Sequence, residues 1–192
     1  MIQVMLSNPK RTNLLPVSVC FPISKYKDVY TRLEAVGIGS ATERDCHVTE
    51  IVEVLLILKR LEKVSVNVDE LDYLAKRLES FDKHQLAKFQ GVAVSHGYDD
   101  IADLINLTFC CLDATVVLDF TDLSAIGREH YMDLHGGVTE DALKTVDFRK
   151  TALSLLLNED GKVTPYGVVY ANGMSLEQFN NGQHSPDYDY DG

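Results

Sequence analysis

Residues 67–109 carry helical periodicity throughout, and strand patterns recur on both sides of them. Asn67 has a side chain suited to capping a helix. The apolar residues after it recur at spacings of three and four: Leu71, Leu74, Leu78 and Phe81. Asp82 can cap a second helix, and a third is expected over about 98–109. The middle of the chain is therefore predicted to be helical and compact.

Before that block, the sequence predicts a small sheet with one helix. Strands are expected over 2–7, 17–21 and 44–54, where β-branched and other apolar residues are frequent. A helix is expected between the second and third strands. It would begin at a Ser24 cap and end where Gly37 suits its C-terminus.

After the block, strand patterns return. A strand is expected over 114–120, because β-branched residues are dense there. Thr121 can cap a helix that runs to about His135, and two short strands are expected over 162–164 and 166–170.

These patterns predict an α+β fold with three small domains and a tail. The divisions are a sheet with one helix at 1–66, a helical domain at 67–110, an acidic mixed α/β domain at 111–184 and a disordered acidic tail at 185–192. Disorder is expected in the tail because Asp and Tyr alternate there without a packing pattern.

The negative charge of the chain is concentrated in one stretch. The net charge is −11. Residues 1–90 are nearly balanced at +1, whereas residues 91–147 hold 11 acidic and two basic side chains, a net of −9. Such a surface repels nucleic acid and attracts basic grooves, including those that hold DNA phosphates. The alternative is an acidic surface that serves only solubility, and charge alone leaves both open.

Two of the predicted helices carry the acidic residues on one side. Asp122, Glu129 and Asp133 lie at i, i+7 and i+11, with Leu123, Ile126 and Leu134 expected on the buried side. Helical rise separates Glu129 from Asp133 by about 6 Å and places Asp122 about 10 Å further back. Phosphates on one DNA strand rise by about 3.4 Å each. The stripe can therefore imitate part of a phosphate row, or it can be an ordinary solvated face.

The predicted helix over 98–109 carries Asp99, Asp100 and Asp103 in the same way. By contrast, the helix that begins at Asn67 has basic residues among its acids. Its Asp72 and Lys76 form an i,i+4 pair, and this face is predicted to be ordinary surface.

Patterns for catalysis and metal binding are weak. The chain has no Gly-x-Ser-x-Gly, His-Glu-x-x-His or phosphate-binding loop. His130 and His135 diverge by about 140° on a helix, which argues against a metal site. The four cysteines include no Cys-x-x-Cys pair and are expected to be reduced thiols of a cytoplasmic protein. No cofactor, secretory signal or membrane span is expected.

Four strings, in order and spacing, resemble one family. They lie at 67–81, 103–109, 126–131 and 164–170. Together they are similar to the ArdA-type antirestriction proteins carried by conjugative elements of Gram-positive gut bacteria. The likeness covers nearly the whole chain and is strongest from about 64 to 136.

The resemblance implies an elongated molecule of three small domains that forms a homodimer. It also implies an acidic surface that imitates bent B-form DNA and occupies the DNA-binding groove of type I restriction–modification enzymes, so that incoming mobile DNA escapes cleavage. Neither catalysis nor direct binding of nucleic acid is expected. One departure is the balanced charge of residues 1–90, where a continuous mimic would carry acid.

Ten residues are candidates for the phosphate-imitating surface: Asp99, Asp100, Asp103, Asp113, Asp119, Asp122, Glu129, Asp133, Glu140 and Asp141. Two alternatives stay open at this point. One is an acidic interaction module for another basic, DNA-binding partner, without antirestriction activity. The other is an unrecognised hydrolase or metal enzyme that joins His130 with Cys110 or Cys111, for which no catalytic spacing is present.

Overall fold

The computed structural model describes residues 1–52, 55–158 and 160–176, and it has an α+β fold. Helices and two antiparallel sheets are both present, which confirms the predicted α+β class. The predicted acidic tail at 185–192 and part of the predicted third domain lie outside the described residues.

The first sheet has four strands in the order β2-β1-β3-β4. They are β1 (Ile2–Ser7), β2 (Val17–Phe21), β3 (Cys46–Val52) and β4 (Ser65–Val66). Alternate residues of β1 (Ile2, Val4 and Leu6) are buried, so one face of this central strand packs on the core. Helix α1 (Tyr26–Ala35) connects β2 to β3 and buries Val29 and Leu33. Its N-cap is Lys25, and the predicted Ser24 cap is wrong.

Three helices follow, as the periodicity of residues 67–109 predicts. They are α2 (Val68–Glu79), α3 (Lys83–His96) and α4 (Ile101–Cys110). The Asn67 side chain caps α2 by accepting from the backbone N–H groups of Asp69 and Glu70. Asp82 caps α3 as predicted: its side chain accepts from the N–H of Gln85, and the Gln85 side chain accepts from the N–H of Asp82.

The second sheet has three strands in the order β5-β7-β6. These are β5 (Thr115–Val117), β6 (Lys162–Thr164) and β7 (Gly167–Tyr170). Between β5 and β6 lie three helices: α5 (Leu123–His135), α6 (Glu140–Leu143) and α7 (Phe148–Leu156). Asp122, not the predicted Thr121, caps α5 by accepting from the N–H of Ala125.

The second sheet lies between two hydrophobic clusters. Val116 and Val169 belong to the larger cluster, which extends back to β1 and includes residues of α2, α3 and α4. Val117 and Tyr170 point to the opposite face and join a smaller cluster with residues of α5 and α7. The larger cluster is continuous across the predicted boundary at 66/67, and the division into three domains stays a prediction.

The side chain of Asp72 in α2 is buried and connects this helix to another segment of the chain. This finding corrects the prediction that its side of the helix is ordinary surface. Only 3% of Asp72 is exposed. Its Oδ1 accepts from the N–H of Ile23 at 2.6 Å, and its Oδ2 accepts from the hydroxyl of Tyr26. Lys76 Nζ lies 3.1 Å from the same carboxylate. The pair with Lys76 is therefore one part of a contact that joins α2 to the segment between β2 and α1.

Replacing Asp72 with alanine is expected to lower the free energy of unfolding by about 2 kcal/mol. The Ile23 N–H would lose its acceptor in a buried site, and such a group costs about 1–3 kcal/mol. Urea denaturation of the variant measures the effect. Glu79→Ala on the same helix is the control, because it removes the same charge from an exposed position. Equal stability of the two variants would contradict this role for Asp72.

Within the described ranges, no helix is both long enough and apolar enough to cross a membrane.

Candidate acidic interaction surface

Two exposed carboxylates are fixed in position at the start of α5. Asp119 Oδ1 accepts from the N–H of Thr121 at 2.9 Å, and Asp122 Oδ1 accepts from the N–H of Ala125 at 3.0 Å. The backbone bond from Thr121 lowers the pKa of Asp119, so this side chain stays ionised at neutral pH. Neither carboxylate forms an ion pair within the described residues.

A second acidic group lies at the start of α4. Asp100 caps this helix by accepting from the N–H of Ala102 at 2.8 Å, and Asp99 precedes it in an exposed position. Arg44 Nη1 lies 3.1 Å from Asp100 Oδ2, so a cation from the first half of the chain neutralises part of this group. Burial raises the pKa of Asp103, and the nearby charges of Asp100 and Asp99 add to the shift.

The remaining predicted residues at the surface are Asp113, Glu140 and Asp141, and all three are exposed. Asp141 pairs with Lys144 at 2.7 Å, an exposed contact of little energetic value. In the part of the chain that the structure describes, Asp99, Asp113 and Glu140 have no ion pair and no side-chain hydrogen bond.

Asp133 does not belong to this surface, which corrects the predicted stripe. Its side chain is only 11% exposed and forms an ion pair with Lys88 of α3, whose side chain is 5% exposed. The Thr115 hydroxyl donates to Asp133 Oδ2 at 3.0 Å. Burial raises the pKa of Asp133, and the neighbouring Lys88 opposes that shift.

The side chain of Glu129 is only partly exposed to solvent. Its Oε1 lies 2.8 Å from His84 Nε2 and 3.8 Å from Lys88 Nζ. The next residue, His130, is buried, and its Nδ1 lies 2.9 Å from Thr115 Oγ1. Burial lowers the pKa of His130, so it is neutral at pH 7. Of the predicted stripe, only Asp122 is an exposed carboxylate without a cation beside it.

The geometry of α5 explains why the predicted acidic stripe is not an exposed surface. Ile126 lies between Asp122 and Glu129 on the same side of the helix, and Ile126 and His130 are both buried. Asp133 is seven residues after Ile126, which returns it to that buried side. Leu134, predicted to be buried, is instead 50% exposed. The side that carries the acidic spacing is thus the side that packs against the rest of the protein.

The sequence interpretation missed Lys88. It is a lysine on the buried side of α3, one turn before Val92. Its position within an apolar helical pattern is a weak signal, because a lysine there also fits a side chain that extends to solvent. Its partner Asp133 is 45 residues away in sequence, so no local pattern connects them.

The buried thiols are poor nucleophiles. Burial raises the pKa of Cys46 and Cys111 to about 12 and that of Cys110 to about 11. A thiol is reactive as its thiolate, which these shifts disfavour at neutral pH. All four cysteines are free, as predicted. Among the described residues, no group of three or more His, Cys, Asp and Glu side chains is arranged to hold a metal ion.

Neither a protein-family model nor a curated protein sequence matches this chain.

Proposed function

We propose that this chain is a DNA-mimic antirestriction protein that binds in the DNA-binding groove of type I restriction–modification enzymes. It would act by stoichiometric occupancy, without catalysis, and so protect incoming mobile DNA. The proposal includes the homodimer that the resemblance implies and excludes direct binding of nucleic acid, which the net charge of −11 would oppose.

The main support is a set of exposed carboxylates that have no cation beside them in the described residues. It consists of Asp99, Asp113, Asp119, Asp122 and Glu140. A surface of this kind attracts a basic groove over long distances and speeds association. The backbone hydrogen bonds that hold Asp119 and Asp122 reduce the entropy lost when a partner binds them.

The exposed set is smaller than the ten candidates that the sequence suggests. Asp100, Glu129 and Asp133 have Arg44, His84 or Lys88 beside them, and Asp141 has Lys144. The proposed contact with an enzyme therefore centres on the segments that begin α4, α5 and α6.

A second candidate function is an acidic module for a different basic partner. Leu118 is 69% exposed and Phe120 is 44% exposed, on either side of Asp119. A row of phosphates presents no such apolar side chains, whereas protein interfaces often do. This observation favours a protein partner but does not require that the partner be a restriction enzyme.

The decisive experiment is a titration of purified type I restriction–modification enzymes with this protein at two salt concentrations. We expect near-stoichiometric inhibition that competes with DNA and weakens as salt rises, because electrostatic attraction is screened. Failure to inhibit any of several type I enzymes would reject the proposal. Recovery of a different DNA-binding protein in a pull-down would then support the second candidate.

A four-residue variant tests the proposed surface. Asp99→Asn, Asp113→Asn, Asp119→Asn and Asp122→Asn together are expected to weaken inhibition about tenfold, since each exposed pair contributes about 0.2–1 kcal/mol. Asparagine can still cap α5 at position 122. The readout is the concentration of protein that halves DNA cleavage.

The control for this variant makes the same change in net charge within the balanced half of the chain. Its substitutions are at exposed acids: Asp28→Asn, Glu34→Gln, Glu50→Gln and Glu79→Gln. We expect it to inhibit nearly as well as the natural protein. If both variants lost the same activity, net charge and not this surface would govern inhibition.

A further inference from the structure

A shallow groove of about 320 Å³ lies between the end of β5 and the start of α5. Its apolar side is formed by Val117, Ala125 and Ile126. Val117 and Ile126 also belong to the smaller hydrophobic cluster, so the wall of the groove is part of the packed interior. Part of the groove wall is therefore held in place by the packing of the fold.

Carboxylates surround this apolar wall. Asp119, Asp122 and Glu129 line the groove. The imidazole of His84, which lies beside Glu129, lines it as well. No lysine or arginine lines it among the residues that the structure describes. Backbone N–H groups hold Asp119 and Asp122, so both carboxylates are positioned in the groove lining before any partner arrives.

The segment beside the groove is apolar as well as acidic. Leu118 lines the groove, and Phe120 lies next to Asp119 in the chain. Both are exposed, and large apolar side chains next to fixed charges are typical of a surface that a protein partner covers.

We propose that this groove receives an arginine side chain of a protein partner. The aliphatic part of the arginine lies against Val117, Ala125 and Ile126, and its guanidinium meets the carboxylates of Asp119 and Asp122. That the partner is a restriction enzyme rests on the proposed function, whereas the preference of the groove for arginine does not. Imitation of phosphate explains the charges but not the apolar wall.

Arginine fits these features better than lysine does. Its guanidinium is planar, presents several N–H donors, and is less strongly hydrated than an ammonium group. Two carboxylates that line the same groove can accept several of those donors. An exposed aromatic ring such as Phe120 also favours a guanidinium nearby.

The test is an NMR titration of the isotopically labelled protein with N-acetyl-arginine amide. We expect saturable shifts of backbone amides over 117–126, with an affinity of about millimolar. N-acetyl-citrulline amide has a similar shape without the charge and should bind at least about fivefold more weakly. Equal binding of the two compounds would overturn the proposal.

Three variants make the assignment specific to the groove. Asp119→Asn with Asp122→Asn keeps the backbone bonds and should weaken arginine binding by about fivefold or more. Ala125→Leu fills the groove but leaves the carboxylates in place, and this variant should also weaken arginine binding. Asp28→Asn with Asp147→Asn makes the same charge change outside the groove and should leave arginine binding unchanged. Shifts spread evenly over the acidic surface, with equal loss in both double variants, would reject the groove as a site.

The two proposals fail in different ways. Arginine binding in the groove without inhibition of any type I enzyme would reject only the antirestriction function. Inhibition that the Ala125→Leu and Asp119→Asn/Asp122→Asn variants retain, together with no saturable arginine binding, would reject only the groove.

Discussion

Replacing Lys88 with methionine is expected to lower the free energy of unfolding by about 3–5 kcal/mol. Methionine is similar in length to lysine and fits an apolar site, so little packing is lost. The carboxylate of Asp133 would remain buried without its cation, and removing one partner of a buried ion pair costs about that much. Urea denaturation at pH 7 measures the change.

The cost of Lys88→Met is expected to depend on pH. Burial raises the pKa of Asp133 above its value in the unfolded chain, so ionisation of this group disfavours the folded state as pH rises. Without Lys88, that pKa rises further. As pH falls from 7 through the raised pKa, Asp133 becomes neutral and the difference in stability between the variant and the natural protein should shrink.

A double variant separates the charge from the packing. Lys88→Met with Asp133→Asn leaves no buried charge at this pair, and the asparagine can still accept from the Thr115 hydroxyl. We expect it to recover most of the stability that the single variant loses. A single variant that costs less than about 1 kcal/mol, with no dependence on pH, would mean that the pair is effectively solvated.

Replacing Gly127 with alanine is expected to destabilise the protein by about 3 kcal/mol, at the upper end of the cost of overpacking. A Cβ at position 127 would lie 1.8 Å from the carbonyl oxygen of Phe148. The neighbour is backbone at the start of α7, so a side-chain rotation cannot relieve the clash and the two helices have to separate. The small cluster between them, which includes Ala152 and Leu155, would lose packing.

Helix propensity alone predicts the opposite sign for Gly127→Ala, because alanine favours a helix by about 1 kcal/mol over glycine. Ala125→Gly at an exposed position of the same helix is the matched control, and it should cost no more than that amount. Thermal or urea denaturation of both variants measures these changes in stability. A Gly127→Ala variant as stable as the natural protein would show that α5 and α7 do not approach so closely in solution.

Local patterns predicted the elements of this fold well. The spacing of Leu71, Leu74 and Leu78 predicted α2, and the frequent apolar residues over Ile2–Ser7 predicted β1. The Asn67 cap also followed from sequence, because a cap is formed within three residues of the chain. At α5 the sequence offered two adjacent residues that can cap a helix, and the cap is Asp122 and not Thr121.

The sequence by itself determined the α+β class, the order of most elements and the concentration of acid after residue 90, because each depends on neighbouring residues or on composition. Only the tertiary structure decided which acids are exposed. The Asp133 side chain is only 11% exposed and pairs with Lys88, 45 residues away, and Asp72 accepts from Ile23, 49 residues away. Helical spacing places residues on one side of a helix, but packing between distant segments determines whether that side faces water.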